Sequence, residues 1–209
     1  MTLTRLLLPL IACFAAAAAE RIEAFGFTWR VPVMADWQVL NEGAESVLKL
    51  NVPRPFTEPR RPIQYALAET ADFERVTIEA EVRKEPFDAR QRRTSLIFVY
   101  AWRDETHFNY AHLSVDSGEQ VAVHNGIFHV YGGERVRISP LTGPGTLAEG
   151  RWHKVRLEYD STKGLVEVFV DGKTSPALRA VDLSLGAGKV GIGSFFDMGE
   201  FRRVRITGR

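Results

Sequence analysis

The chain has 209 residues, 45% apolar and 25% charged, with 27 Lys and Arg against 26 Asp and Glu and a single cysteine. Such near-average fractions exclude a disordered chain and suit one domain of sandwich or barrel size. A net charge of +1 offers no overall field for a nucleic-acid backbone or an anionic membrane, and one cysteine excludes an internal disulfide and a tetrathiolate zinc site.

Residues 1–19 read as a signal peptide. Arg5 carries the positive charge, Leu6 to Ala19 is apolar throughout, and Ala17-Ala18-Ala19 before Glu20 is the small-residue pattern a signal peptidase needs. The apolar run is too short for a comfortable bilayer crossing, so no membrane span is expected. Leu10-Ile11-Ala12-Cys13 resembles a bacterial lipobox, and a lipid anchor at Cys13 is the alternative route, which would hold the protein on the envelope. Cleavage after Ala19 is preferred, because the stretch before Cys13 is short and the Phe-Ala run after it is unusually apolar for a mature terminus. The expectation is a secreted or periplasmic protein with one domain over residues 20–209. Without Arg5 its basic and acidic counts balance, which suits recognition of uncharged sugars.

From Phe25 onward short β-rich runs succeed one another: Ser46 to Val52, Phe73 to Arg83, Ser95 to Trp102, Phe108 to Val115, Val121 to Val123, Phe128 to Tyr131, Arg135 to Ile138, His153 to Tyr159, Leu165 to Asp171, Lys189 to Ile192 and Phe201 to Ile206. Turn signals such as Asn125-Gly126, Gly132-Gly133 and Asp171-Gly172 separate them, and no helical periodicity appears after Ala19. Val76-Thr77-Ile78-Glu79-Ala80-Glu81-Val82 alternates apolar and polar residues, so one face of that strand is core. Val52 to Pro62 carries four prolines and three arginines and is expected to be a loop or edge segment, since proline lacks the ladder donor.

Gly150-Arg151-Trp152-His153-Lys154-Val155-Arg156-Leu157, then Gly164 to Lys173 with its Asp171-Gly172 turn, then Gly186 to Phe195 with its glycine-rich return, resemble the C-terminal half of a concanavalin A-like (laminin-G-like) domain. Leu96 to Tyr100 and Asp104 to Ser114 are similar to the strand, acidic turn and aromatic strand of that superfamily. The nearest resemblance is to secreted bacterial domains of the 3-keto-disaccharide hydrolase type, over Phe73 to Arg209, with Phe25 to Leu67 supplying the first strands. It implies an all-β fold, a jelly-roll sandwich of two antiparallel sheets, and says little of reaction, because such folds host many functions.

Alternation then places candidate residues. With Ala111, Leu113 and Val115 inward, Phe108, Tyr110, His112 and Ser114 project from the other face. The same parity puts Val121 and Val123 inward with His124 outward, and Val136 and Ile138 inward with Arg135, Arg137 and Ser139 outward. Trp102 ends the preceding strand. A concave sheet carrying Trp102, Tyr110, His112, His124, Asn125 and Arg137 would hold a sugar, the rings stacking on its C–H face and the polar groups fixing its hydroxyls. Asn125-Gly126 is read first as a turn; His129 has uncertain parity, and His153 is read as structural.

Paired-carboxylate strands of the Glu-x-Asp-x-x-Glu kind are absent, and Glu79 and Glu81 are expected to face Arg83 and solvent. No nucleophile elbow, His-Glu-x-x-His, P-loop or dinucleotide fingerprint occurs, so no cofactor is expected. The pairs Arg60-Arg61, Arg92-Arg93 and Arg202-Arg203 are balanced by acids and expected on solvated loops, with no nucleic-acid partner. Asp197 and Asp104-Glu105 are weak calcium candidates and His112 with His124 a weak transition-metal pair, so no metal site is assigned. The leading reading is a carbohydrate-binding domain. Its alternatives are a keto-glycoside hydrolase or lyase in which His112 or His124 acts as base, and an envelope adhesion or scaffold domain without a small ligand.

Overall fold

The computed structural model describes residues 20–84, 95–115, 123–140, 145–148 and 150–209. The leader, Cys13, Arg92-Arg93 and the Val121–Ala122 part of one expected strand lie outside these. Fifteen strands are present among the described residues: β1 (Glu20–Ala24), β2 (Phe27–Val31), β3 (Trp37–Glu42), β4 (Glu45–Leu50), β5 (Gln64–Ala68), β6 (Arg75–Lys84), β7 (Ser95–Asp104), β8 (His107–Ser114), β9 (Gly126–Tyr131), β10 (Arg135–Arg137), β11 (Trp152–Asp160), β12 (Leu165–Val170), β13 (Leu178–Val181), β14 (Lys189–Ser194) and β15 (Gly199–Gly208). One short 3-10 turn, Met34–Asp36, is the only helical element among them. The strands form two antiparallel sheets, ordered β1-β2-β5-β14-β7-β8-β9-β10 and β13-β12-β11-β6-β15-β4-β3.

Strict alternation explains why these sheets stack. Val76, Ile78, Ala80 and Val82 of β6, with Val155, Leu157 and Tyr159 of β11 and Val166, Val168 and Val170 of β12, turn into a core shared with Leu96, Phe98, Ala111, Leu113, Ile127, Val190 and Ile192 of the other sheet. Each fully buried aliphatic or aromatic side chain contributes about 1.5–3 kcal/mol, and this core replaces the missing disulfides.

The eight-stranded sheet is also buried on its outer face. Tyr65, Leu67, Ile97, Val99, Trp102, Phe108, Tyr110, Phe128, Val130, Phe195 and Phe196 form a second apolar cluster there, with Ile63 packed against it. Trp102 joins it through a bulge. It shares sequence parity with the core residues Phe98 and Tyr100, but the register shifts after Tyr100 and Ala101 takes a φ of 49°, which carries Trp102 to the opposite face.

Three expectations are corrected. Val123 and His124 lie in a turn rather than on a strand. Val136 does not face the core: β10 is the last strand of its sheet and Val136 is 61% exposed. Arg202 and Arg203 sit on β15, not on a loop, and it is they that bind Glu81, through Arg202 Nε at 2.8 Å and Arg203 Nη1 at 2.9 Å, instead of Arg83 and solvent.

Candidate functional site

The outer face of the eight-stranded sheet gathers most of the expected residues. Tyr110 and His112, two apart on β8, are fully buried. The Tyr110 ring is stacked on Phe128 (5.4 Å between centroids, 16° between planes) and lies near-parallel to Phe195 on another side (6.3 Å, 13°). His112 lies 5.1 Å from His124 edge to face, 5.7 Å from Phe128 and 5.4 Å from Phe195. The two histidines therefore meet although His124 comes from a turn. Trp102 shares the face but belongs to another part of it, donating from Nε1 to the Tyr65 hydroxyl at 3.1 Å beneath the Arg30 guanidinium at 4.9 Å.

Asn125 and Arg137 form the frame of this corner. Asn125, at φ 45°, is buried, and its Oδ1 accepts from the amides of Ser114 (2.9 Å) and Thr146 (3.2 Å) and from the Thr146 hydroxyl (2.7 Å). Arg137 donates to the carbonyls of His124 (2.8 Å), Asn125 (2.8 Å), Pro140 (2.9 Å) and Ser139 (3.2 Å). Its guanidinium occupies the space above Gly126, where a Cβ would stand 2.4 Å from Nη1. The Asn-Gly turn and Arg137 thus fix one another.

Arg135, one strand repeat from Arg137, is the cation that reaches the histidine. Its Nη1 donates to His112 Nδ1 at 3.1 Å and to the Tyr110 hydroxyl at 3.2 Å, and its guanidinium lies over Phe195 (4.1 Å) and Phe128 (4.5 Å). Arginine only donates, so His112 Nδ1 must be the accepting nitrogen and the neutral ring carries its proton on Nε2. Burial first, then the positive charges of Arg135, His124, Arg60 and Arg137, push the His112 pKa well below the ordinary value of 6.5. In this arrangement neither ring nitrogen offers a lone pair, which argues against the base role expected of His112. The same surroundings push the Tyr110 hydroxyl up, burial dominating and Arg135 opposing it.

The proline-rich segment completes the site in a way alternation could not show. Arg60 accepts the Arg135 amide on its carbonyl at 3.1 Å, and its own amide points to Glu134 Oε1 at 3.4 Å, so residues 51–63 are folded back across the sheet. Arg60 then lies over Phe195 (5.7 Å) and Phe56 (5.4 Å), while Phe56 abuts Phe196 edge to face and is 46% exposed. Glu58 and Glu134 pair with each other at the rim, and that shared hydrogen bond raises the Glu58 pKa.

The remaining candidates are structural. His129 faces the other side of the sheet, its Nδ1 2.7 Å from Asn109 Oδ1 and 3.2 Å from Asp182. His153 is buried, with Nδ1 2.8 Å from Asp171 and Nε2 accepting the Ala148 amide at 2.8 Å. Asp197 accepts from the Ser95 amide and hydroxyl, and Asp104 closes a turn on Thr106, whose hydrogen bonds bring its pKa to about 2. No group of three or more His, Cys, Asp or Glu suited to a metal ion occurs among the described residues, and no helix there is long and apolar enough to cross a membrane.

These sheets define a concanavalin A-like jelly-roll sandwich. Among solved structures the chain is similar to the carbohydrate-binding module CBM66 from Bacillus subtilis, at 13% identity and a TM-score of 0.57, over 83% of this chain and 96% of that one. It is also similar to a Bacillus subtilis protein of unknown function with a galectin-like fold, at 16% identity and a TM-score of 0.54, over 86% and 89%. No protein-family model matches the chain, and no curated protein is a significant sequence relative.

Proposed function

We propose that the chain binds a carbohydrate on the outer face of the eight-stranded sheet, where Phe56, Arg60, Arg135 and His124 stand over the floor made by Tyr110, His112, Phe128 and Phe195. The observation that carries this reading is the exposed Phe56 ring with the Arg60 guanidinium 5.4 Å from its centroid, the same guanidinium lying 5.7 Å from Phe195 of the aromatic floor. A pyranose needs an apolar ring for its C–H face and directional donors for its hydroxyls, and both stand side by side here. The similarity to a carbohydrate-binding module, and to the fold of a protein with a galectin-like fold, supports it. Tyr110 and His112 serve as floor in this reading, Asn125 and Arg137 as frame, and Trp102 as part of the neighbouring wall. Export under the segment at residues 1–19 would bring this face to extracellular or envelope glycans.

The test is a glycan array with calorimetric titration of the full chain and of Phe56→Ala. Because Phe56 is exposed, its loss should leave the melting temperature in place and weaken binding by about tenfold, the scale of one stacked ring. Binding unchanged in that variant, or no glycan bound by the parent chain, would overturn the proposal.

A further inference from the structure

Three nitrogen atoms in this corner are buried with no hydrogen-bond partner: Arg60 Nε, Arg135 Nη2 and His112 Nε2. All three are donors. Both guanidinium atoms donate by nature, and His112 Nε2 carries the proton because Arg135 occupies Nδ1. Buried polar atoms are nearly always satisfied, and a donor left without an acceptor is costly. Three orphan donors gathered around the Phe195 ring form a directional pattern, since what each of them lacks is an oxygen lone pair.

The charges agree with the donors. Arg60, Arg135 and the His112 ring all lie within 6 Å of the Phe195 centroid, at 5.7, 4.1 and 5.4 Å. Among the described residues no carboxylate forms an ion pair with the side chain of Arg60 or Arg135. Glu58 and Glu134, the acids at the rim, are turned to each other, and Glu134 takes only the Arg60 amide. Burial and then the nearby Arg135 lower the pKa of Arg60, and the weaker opposing pull of Tyr110, Glu134 and Glu58 does not cancel the repulsion between the two guanidiniums.

We infer that this site takes a sugar bearing an oxyanion, a carboxylate or a sulfate ester, whose oxygens accept from Arg60 and Arg135 and, on a second side, from His112 Nε2–H. The inference rests on the carbohydrate reading above and adds the ligand's charge. An oxyanion supplies the missing lone pairs and neutralises the paired guanidiniums, and planar guanidinium forks match carboxylate and sulfate oxygens. A neutral sugar would supply hydroxyl acceptors but leave the repulsion. Because the three donor atoms are buried, binding requires residues 51–63 to shift enough to admit the anion.

The experiment titrates the full chain with matched probes: oligogalacturonate against its methyl ester, a sulfated galactan against its desulfated form, and inorganic sulfate. Binding of one acidic glycan, weakened about tenfold or more by neutralising it and by Arg60→Gln, is expected, this being the scale of one charge-assisted hydrogen bond. The uronate and sulfate arms separate the two anions. Arg156→Ala, on the far sheet, should bind like the parent, and melting temperatures confirm that each variant folds. Equal or tighter binding of the neutral forms overturns the charge inference and leaves the sugar reading intact. Binding of inorganic sulfate with no glycan bound overturns the sugar reading and leaves the oxyanion cradle standing. No binding to any probe overturns the inference.

Discussion

The two outer faces of the sandwich use the same side chains to opposite ends. On the seven-stranded sheet Trp152 lies beneath Arg83 at 4.5 Å and Arg202 at 4.1 Å, and both guanidiniums reach a carboxylate. Arg202 and Arg203 bind Glu81, Arg203 also binds Glu45 at 2.8 Å, and Arg83 binds Glu200 and Glu42. On the eight-stranded sheet Arg135 lies as close to an aromatic ring, 4.1 Å from Phe195, and Arg60 farther off at 5.7 Å, and among the described residues neither guanidinium forms an ion pair with a carboxylate. A guanidinium on a ring is thus no sign of function by itself. The completed network holds strands together, while the incomplete one presents donors to something outside the chain.

The largest test of that contrast concerns the floor. Tyr110→Ala removes a fully buried ring flanked by Phe128 and Phe195, and should cost about 3–5 kcal/mol of stability in a denaturant titration. Tyr110→Phe keeps the ring and removes only the acceptor for Arg135, with a cost of about 1 kcal/mol. Equal small losses in both would show that the floor is not packed as described. On the opposite face Glu81→Gln should cost about 1–3 kcal/mol at neutral pH, because Arg202 and Arg203 lose a shared buried partner. Burial raises the Glu81 pKa, but hydrogen bonds from these arginines outweigh it and hold the pKa below 4.5. With the folded pKa depressed, the stabilisation is present above the unfolded pKa and is lost as pH falls through the folded value. Acid unfolding of Glu81→Gln should therefore be less steep below about pH 4.5 than that of the parent.

What alternation could reveal, it revealed well. Val76 to Val82 and Val155 to Tyr159 read correctly as core faces because nothing interrupts their period of two, and Asn125 read correctly as a turn residue, although Gly126 already opens β9. Tyr110 and His112 were placed on the right face by the same logic. Trp102 reaches that face only through the Ala101 bulge, which no local pattern announces. Arg135 and Arg137 share parity, so alternation could not tell the residue that reaches His112 from the one that clamps four carbonyls. Arg60 and Phe56 lay in a segment recognisable only as proline-rich loop; its fold back over β10 depends on the Arg135–Arg60 backbone contact, 75 residues apart in sequence. Overall neutrality pointed to uncharged sugars, whereas charge is local and the two faces distribute it differently.

A smaller effect concerns His112. Its depressed pKa means that the unfolded chain binds a proton below pH 6.5 that the folded chain refuses, so stability is complete above that pH and falls as the medium is acidified towards the folded value. The groups responsible after burial are Arg135, His124, Arg60 and Arg137. The slope approaches about 1.4 kcal/mol per pH unit, and His112→Gln should remove it. Proton NMR of the imidazole checks the cause, because the neutral Nε2–H form should persist below pH 6.5.

The smallest effect in stability is the one that separates the faces most sharply. Arg60→Gln removes a cation that repels Arg135 and forms no ion pair of its own, Glu134 and Glu58 attracting it less than Arg135 repels it, so the unliganded variant should match the parent within about 0.5 kcal/mol. Arg203→Gln on the other sheet abandons Glu81 and Glu45 and should lose stability under the same conditions. Added salt should raise the parent's stability relative to Arg60→Gln by screening the repulsion, to the extent that solvent ions reach the corner. A residue whose removal leaves the fold unharmed while weakening acidic-glycan binding about tenfold or more is placed for a ligand, since folding alone gives no reason to keep two guanidiniums together. If Arg60→Gln instead unfolds as readily as Arg203→Gln, the faces are equivalent and the basic corner is scaffolding.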